Sequence, residues 1–231
     1  MRAVAHLVGG SAIRTCCLLL ALLASAVPAA AAGTAGSATG TDLTAELELI
    51  KSLGTSAASR ANAVAEGKNN ASFCANCHGE TGNSKYPEVP NLAGQNPAYL
   101  LAQMKKFETG ERKDDFMQRL IKMLGDRARA TVALYYAEAG VTPARARPGP
   151  TAAQGGAHFT RLCARCHGDK ALGSDSVPRL AGQQAKYLRL SLDRYRSSSG
   201  ERFFPQMTAA TAQIPASDVD AVVDYLASLK H

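Results

Sequence analysis

Apolar positions recur along most of the chain at the three-to-four-residue spacing of helices, and no stretch of useful length alternates as a strand would. The clearest case lies near the C-terminus, over 217–230. There Val222, Tyr225, Leu226 and Leu229 fall at i, i+3, i+4 and i+7, forming one apolar face. Ser217 and Asp220 stand where a capping box would open this helix, and Asp218 adds charge that suits its dipole. Further helices are predicted over 154–166, 184–197 and 126–139. The last has Arg127 and Arg129 in its first turn, charge of the wrong sign for a helix start, so a weaker N-terminus is expected there. A short amphipathic helix is also predicted over 42–53, capped by Asp42, with Leu43, Leu47 and Ile50 at helical spacing. It reads as an extension lying on the surface. These elements predict an all-α fold.

The helices come in two sets, because the chain contains an internal repeat. Val89-Pro90-Asn91-Leu92-Ala93-Gly94-Gln95 returns as Val177-Pro178-Arg179-Leu180-Ala181-Gly182-Gln183, and Tyr99-Leu100 returns as Tyr187-Leu188. Gly110-Glu111-Arg112 returns as Gly200-Glu201-Arg202, and the closing helices align as 126–139 and 216–229. Each copy reads as helix, cysteine motif, loop, helix, loop, helix. Between them a Pro/Gly-rich run over 140–153 reads as a semi-rigid linker. The expected domains are therefore 62–139 and 154–231. Upstream, 1–32 has Arg2 and Arg14 in a basic n-region, an apolar run from Cys16 to Val27 and a small-residue cleavage zone, as in a secretory signal. About twelve apolar residues are too few for a permanent bilayer span. Residues 33–61 form an N-terminal extension that opens with a Gly/Ala/Ser/Thr-rich stretch.

Removal of 1–32 leaves four cysteines, and all lie in two short motifs: Cys74-Ala75-Asn76-Cys77-His78 and Cys163-Ala164-Arg165-Cys166-His167. C-x-x-C-H is the spacing that attaches a c-type haem. Two thiols one helical turn apart can reach both vinyl groups of one porphyrin, and the adjoining imidazole then meets the iron. A redox C-x-x-C requires neither the histidine nor a second copy. A zinc site of four thiolates would have to join the two motifs and leave His78 and His167 spare. The reading is two covalently bound haem c groups, with Cys74, Cys77, Cys163 and Cys166 attaching them and His78 and His167 on the iron. For the opposite axial position the second copy offers only Met207, five residues beyond Arg202. The first copy offers three methionines, of which Met117 stands five beyond Arg112. The shared register selects Met117 and Met207, both expected on loops, and leaves Met104 and Met123 as core filler. With a thioether on each iron, coordination is closed, which favours electron transfer over catalysis or gas binding.

Composition changes this picture little. Losing Arg2 and Arg14 takes the formal charge from +7 to +5, and the haem propionates bring it near neutral, so the basic balance says nothing of nucleic acid. Trp is absent and only 6% of residues are aromatic, so each domain would have a thin core that the haem itself must fill. Arg112 and Arg202 could reach propionates, but a solvated loop arginine is the ordinary outcome. Lys105, Lys106 and Arg194 read as charged helix faces in preference to a docking rim.

With these residues in place, the chain from about Ala63 to His231 resembles the cytochrome c4 family. The resemblance rests on CANCHG and CARCHG, the paired P-x-LAGQ-x-x-x-YL segments, the paired GER loops and the methionine positions. It implies two tandem class I cytochrome c folds related by a pseudo-twofold axis, a periplasmic location, and Pro90 and Pro178 carbonyls that orient the proximal imidazoles. It also implies an electron carrier, not an enzyme, working between a quinol-oxidising complex or dehydrogenase and a terminal oxidase (a cytochrome oxidase) or reductase. The alternative is the cytochrome subunit of a larger redox enzyme such as a flavocytochrome sulfide dehydrogenase. No nucleic-acid partner is expected, and peripheral membrane association stays open.

Overall fold

The computed structural model describes residues 43–144 and 147–230. The signal-like segment, the stretch up to Asp42 with its expected cap, and His231 lie outside the described residues. Among these residues the regular structure is helical, apart from an isolated antiparallel bridge between Ser174 and Val177.

The first repeat comprises α1 (Thr44–Leu53), α2 (Ala57–Asn70), α3 (Ala75–His78), α4 (Pro97–Thr109), α5 (Asp115–Lys122) and α6 (Asp126–Glu138). The second comprises α7 (Ala152–Leu162), α8 (Ala164–His167), α9 (Ala185–Ser197), α10 (Pro205–Ala212) and α11 (Val219–Ser228). Each repeat is built on a crossing of its first long helix with its last, α2 on α6 and α7 on α11. Glycine makes the crossings close. A Cβ on Gly67 would overlap the Thr131 carbonyl, and one on Gly155 would overlap that of Ala221. Around these crossings lie apolar clusters, two of them large. Leu101, Met104, Phe107, Val132 and Tyr136 belong to the first, and Phe159, Leu188, Ile214, Val222 and Leu226 to the second.

Several expectations are corrected. The helix near the N-terminus does not merely lie on the surface. Leu53 is buried with Ala63, Ala130 and Leu134, and Leu43, Leu47 and Ile50 pack on the first repeat's core. The start of α6 is not weak either. Arg129 is buried but paired with Asp126, Glu108 and Glu46 of α1, while Arg127 makes two hydrogen bonds to Glu66. Carboxylates from three other elements cancel the adverse dipole interaction, which the local sequence of α6 could not show. At the other closing helix no capping box forms. Ser217 donates to Asp218, and a 3-10 turn over Ala216–Asp218 precedes α11. Met117 and Met207 sit in the first turns of α5 and α10, not on loops. Asp114 caps α5 by accepting the Met117 N–H, and Pro205 opens α10 at a position where its missing N–H is harmless. Met104 is core, as expected, but Met123 is 77% exposed at the end of α5 and fills nothing.

The linker is tied down over its first residues, 140–144. Asn83 donates to the Gly140 carbonyl and accepts from the Thr142 N–H, and the Ala144 N–H donates to the Gly182 carbonyl.

Candidate functional site

In each motif the chain turns once through a short helix that the first cysteine caps and that carries the second. The His78 N–H donates to the Cys74 carbonyl at 2.9 Å, and the His167 N–H to that of Cys163 at 3.0 Å. Residues three apart on a helical turn share a face, so Cys74 and Cys77 stand together, as do Cys163 and Cys166. No disulfide joins any of the four. Gly79 and Gly168 follow the histidines with φ of 83° and 74° and ψ near 150°, a region that side chains exclude. This explains why both motifs continue into glycine.

The imidazoles are held alike. His78 Nδ1 lies 2.9 Å from the Pro90 carbonyl oxygen, and His167 Nδ1 lies 3.0 Å from that of Pro178. A carbonyl can only accept, so Nδ1 carries the proton and Nε2 keeps its lone pair for a metal. Both rings are buried, and burial is the main reason each imidazole is drawn below its ordinary pKa, against the opposing carbonyl contact. The carbonyls are themselves fixed, because the Leu-Ala-Gly-Gln turn after each proline is sewn to the closing helix. The Gly94 N–H donates to the Tyr136 carbonyl at 2.8 Å and the Gly182 N–H to the Leu226 carbonyl at 2.9 Å.

These residues fit a covalently bound haem better than a redox dithiol or a zinc site. Burial raises the Cys74 thiol and pushes that of Cys163 up to about 11, the reverse of the depressed first thiol of a redox C-x-x-C. Among the described residues no three His, Cys, Asp or Glu side chains gather as a metal-holding group, so the motifs do not meet as a zinc site. Buried polar atoms without hydrogen-bond partners include Tyr136 Oη, Arg202 Nε and Thr208 Oγ1. Met117 is half-buried and packs on the cluster that also takes Cys74; Met207 is half-buried in the matching place of the second repeat.

Arg112 and Arg202 are not solvated, contrary to expectation. They meet between the repeats around two tyrosines. Arg112 donates to the Tyr187 hydroxyl at 3.2 Å and to Gln103 at 2.9 Å. Arg202 donates to the hydroxyls of Tyr187 at 3.0 Å, Tyr99 at 2.6 Å and Ser191 at 2.9 Å. Burial alone would raise the Tyr187 phenol, but Arg202 and Arg112 outweigh it and draw it down to about 7. For Tyr99 burial prevails over the guanidiniums and pushes it up to about 12. The tyrosines were visible in the sequence only as the repeated Tyr-Leu pair. Lys106 pairs with Glu111, and Arg194 with Glu201, in matching positions, so these are internally paired helix faces.

Comparison with known proteins agrees with this geometry. The family model described as Cytochrome c matches residues 152–230. The chain is similar to cytochrome c4 of Pseudomonas aeruginosa, 32% identical over 198 residues that cover 79% of this chain and 97% of the relative. It is also similar to a thiosulfate dehydrogenase electron acceptor of Stutzerimonas stutzeri, 30% identical over 68% of this chain and 78% of the relative. Among solved structures, reduced recombinant cytochrome c4 from Pseudomonas stutzeri superposes with a TM-score of 0.64 at 27% identity, covering 71% of this chain and 97% of that one.

Proposed function

Because the chain belongs to the cytochrome c4 family, we propose that it carries electrons in the periplasm from a quinol-oxidising complex or dehydrogenase to a terminal oxidase or reductase. Family membership makes it an electron-transfer protein and not an enzyme, with class I cytochrome c domains and two covalently bound haem c groups. The bound haem supplies a one-electron iron couple at each site. In this reading Cys74, Cys77, Cys163 and Cys166 form the thioethers, His78 and His167 are the proximal ligands, and Met117 and Met207 the distal ones. The domains would run over 62–139 and 154–231, joined by the linker over 140–153. The segment 1–32 would direct export and be removed.

One observation carries the reading: both repeats fix an imidazole with Nδ1 on a proline carbonyl, beside two cysteines on one helical turn that no disulfide joins. Two equivalent sites whose ligands are locked suit electron exchange, because little has to move when iron changes charge. Among the described residues no helix is long and apolar enough to cross a membrane. The test is stopped-flow reduction of the purified holoprotein by a quinol-oxidising complex, followed by reoxidation by terminal oxidase. Fast turnover through both steps supports the carrier role.

A second reading is favoured by the likeness to the thiosulfate dehydrogenase electron acceptor. Here the protein accepts electrons from one dedicated sulfur-compound dehydrogenase. It predicts fast reduction by that enzyme with its substrate, and slow reduction by the quinol-oxidising complex.

A further inference from the structure

The two repeats are joined by a reciprocal pair of glutamines that reach the peptides behind each other's histidines. The Asn91 N–H donates to Gln183 Oε1 at 2.7 Å, and Gln183 Nε2 donates back to the Asn91 carbonyl at 2.9 Å. In mirror fashion the Arg179 N–H donates to Gln95 Oε1 at 2.8 Å, and Gln95 Nε2 donates to the Arg179 carbonyl at 2.9 Å. Partners of opposite polarity leave each amide only one orientation. Both glutamines are 6% exposed, so water does not compete strongly for these bonds.

The Asn91 N–H belongs to the same peptide group as the Pro90 carbonyl, and the Arg179 N–H to the same group as the Pro178 carbonyl. His78 Nδ1–H, the Pro90–Asn91 peptide and Gln183 therefore form one continuous chain of hydrogen bonds. His167, the Pro178–Arg179 peptide and Gln95 form the other. Hydrogen bonds in series polarise one another. When a peptide N–H donates a hydrogen bond to an acceptor, electron density shifts to the carbonyl oxygen, which then draws harder on the imidazole N–H. An imidazole so held is more basic at Nε2 and favours the higher charge on a bound metal.

We infer that Gln183 and Gln95 are positioning residues that act across the repeat boundary, each setting the reduction potential of the haem held by the other repeat. Gln183 lowers the potential at the Cys74/Cys77 site through His78, and Gln95 lowers that at the Cys163/Cys166 site through His167. The inference rests on the reading of His78 and His167 as proximal ligands. Its physical consequence is that docking of the repeats and the potentials of both haems are linked. A repeat that loosens from its partner raises the partner's potential.

The test uses full-length holoprotein carrying Gln183→Met, Gln95→Met or Gln183→Glu, with nitrogen-labelled histidine. In the ferrous, diamagnetic state the Nδ1–H resonances of His78 and His167 are assigned through contacts to Pro90 and Pro178. Gln183→Met should move the His78 resonance upfield and leave His167 in place. In a redox titration followed by NMR, the Cys74/Cys77 haem should rise in potential relative to the other. The electron-sharing equilibrium between the haems should change about threefold, which is about 28 mV at 59 mV per decade. Gln95→Met should change the equilibrium in the opposite sense. Gln183→Glu keeps an acceptor for the Asn91 N–H and should hold the potential at or below that of the unaltered protein, even if Gln183→Met fails to fold. A shift confined to the Cys163/Cys166 haem in Gln183→Met, equal shifts at both, or no shift at either overturns the inference, as does a rise with Gln183→Glu. Failure of the ligand reading looks different: the unaltered protein would then lack ring-current-shifted imidazole resonances for His78 and His167.

Discussion

Arg129 and Glu46 face each other at 3.8 Å with side chains only 5% and 6% exposed, so the N-terminal helix α1 is fastened to α6 by a buried ion pair. Glu108 completes the group at 3.0 Å from Arg129. Taking away the cation leaves carboxylates with little access to water, a loss of about 3–5 kcal/mol for a buried pair. Arg129→Leu should lower stability by about 3 kcal/mol in urea unfolding and open α1 to limited proteolysis. Arg127→Leu, which breaks an exposed pair with Glu66, should leave the unfolding midpoint nearly unchanged.

The same cluster predicts acid sensitivity. Burial works against the charged Glu108 carboxylate, but the Lys105 hydrogen bond and the charge of Arg129 outweigh it and hold the group below its ordinary range. The unfolded chain then takes up the proton more readily than the folded one. The stabilisation is therefore complete above the ordinary carboxylate pKa of about 4.3 and is lost as pH falls through the lower folded value. Urea midpoints measured from pH 7 down to pH 3 should fall more steeply for the unaltered protein than for Glu108→Gln. Parallel curves would remove Glu108 from the account.

Gly67→Ala and Gly155→Ala should each destabilise the protein by about 1–3 kcal/mol or more, since the added methyl overlaps a backbone carbonyl that cannot step aside. Helix propensity alone predicts the opposite sign, a gain of about 1 kcal/mol. Thermal unfolding decides between them, and Gly140→Ala, where nothing lies within 4 Å, serves as the control.

Mass spectrometry of the denatured mature protein should give the polypeptide plus two haem masses. A single haem mass, or haem that acid acetone extracts, contradicts attachment at both motifs.

Met117→Ala should remove the red-edge absorption of thioether-ligated ferric haem from one haem only, lower its potential and open it to cyanide. Met207→Ala should do the same to the other. Met123→Leu should leave both bands intact and alter stability by well under about 1 kcal/mol, since that side chain is exposed. Loss of the band in Met123→Leu with retention in Met117→Ala would make Met123 the ligand and overturn the Met117 assignment.

What the sequence determined by itself was everything that depends on spacing along the chain: an all-helical fold, two copies of one unit, and two thiol pairs each followed by histidine and glycine. Those features are local, because a helical turn brings residues three apart together whatever surrounds it. The repeat also marked Gln95, Gln183, Tyr99 and Tyr187 as paired positions without revealing their partners. Tertiary structure decided which charges are buried. Arg112, Arg202 and Arg129 read as solvated or adverse from their neighbours, yet each is enclosed and paired with groups distant in the chain. It also decided how the copies could diverge. Gly82, whose Cβ would strike the Tyr136 ring, is replaced in the second copy by Ala171, which shares the left-handed backbone and faces a core where Leu226 stands in place of the tyrosine. A side chain's desolvation and its room to exist are set by whatever packs against it in space, and the local pattern carries no record of those neighbours.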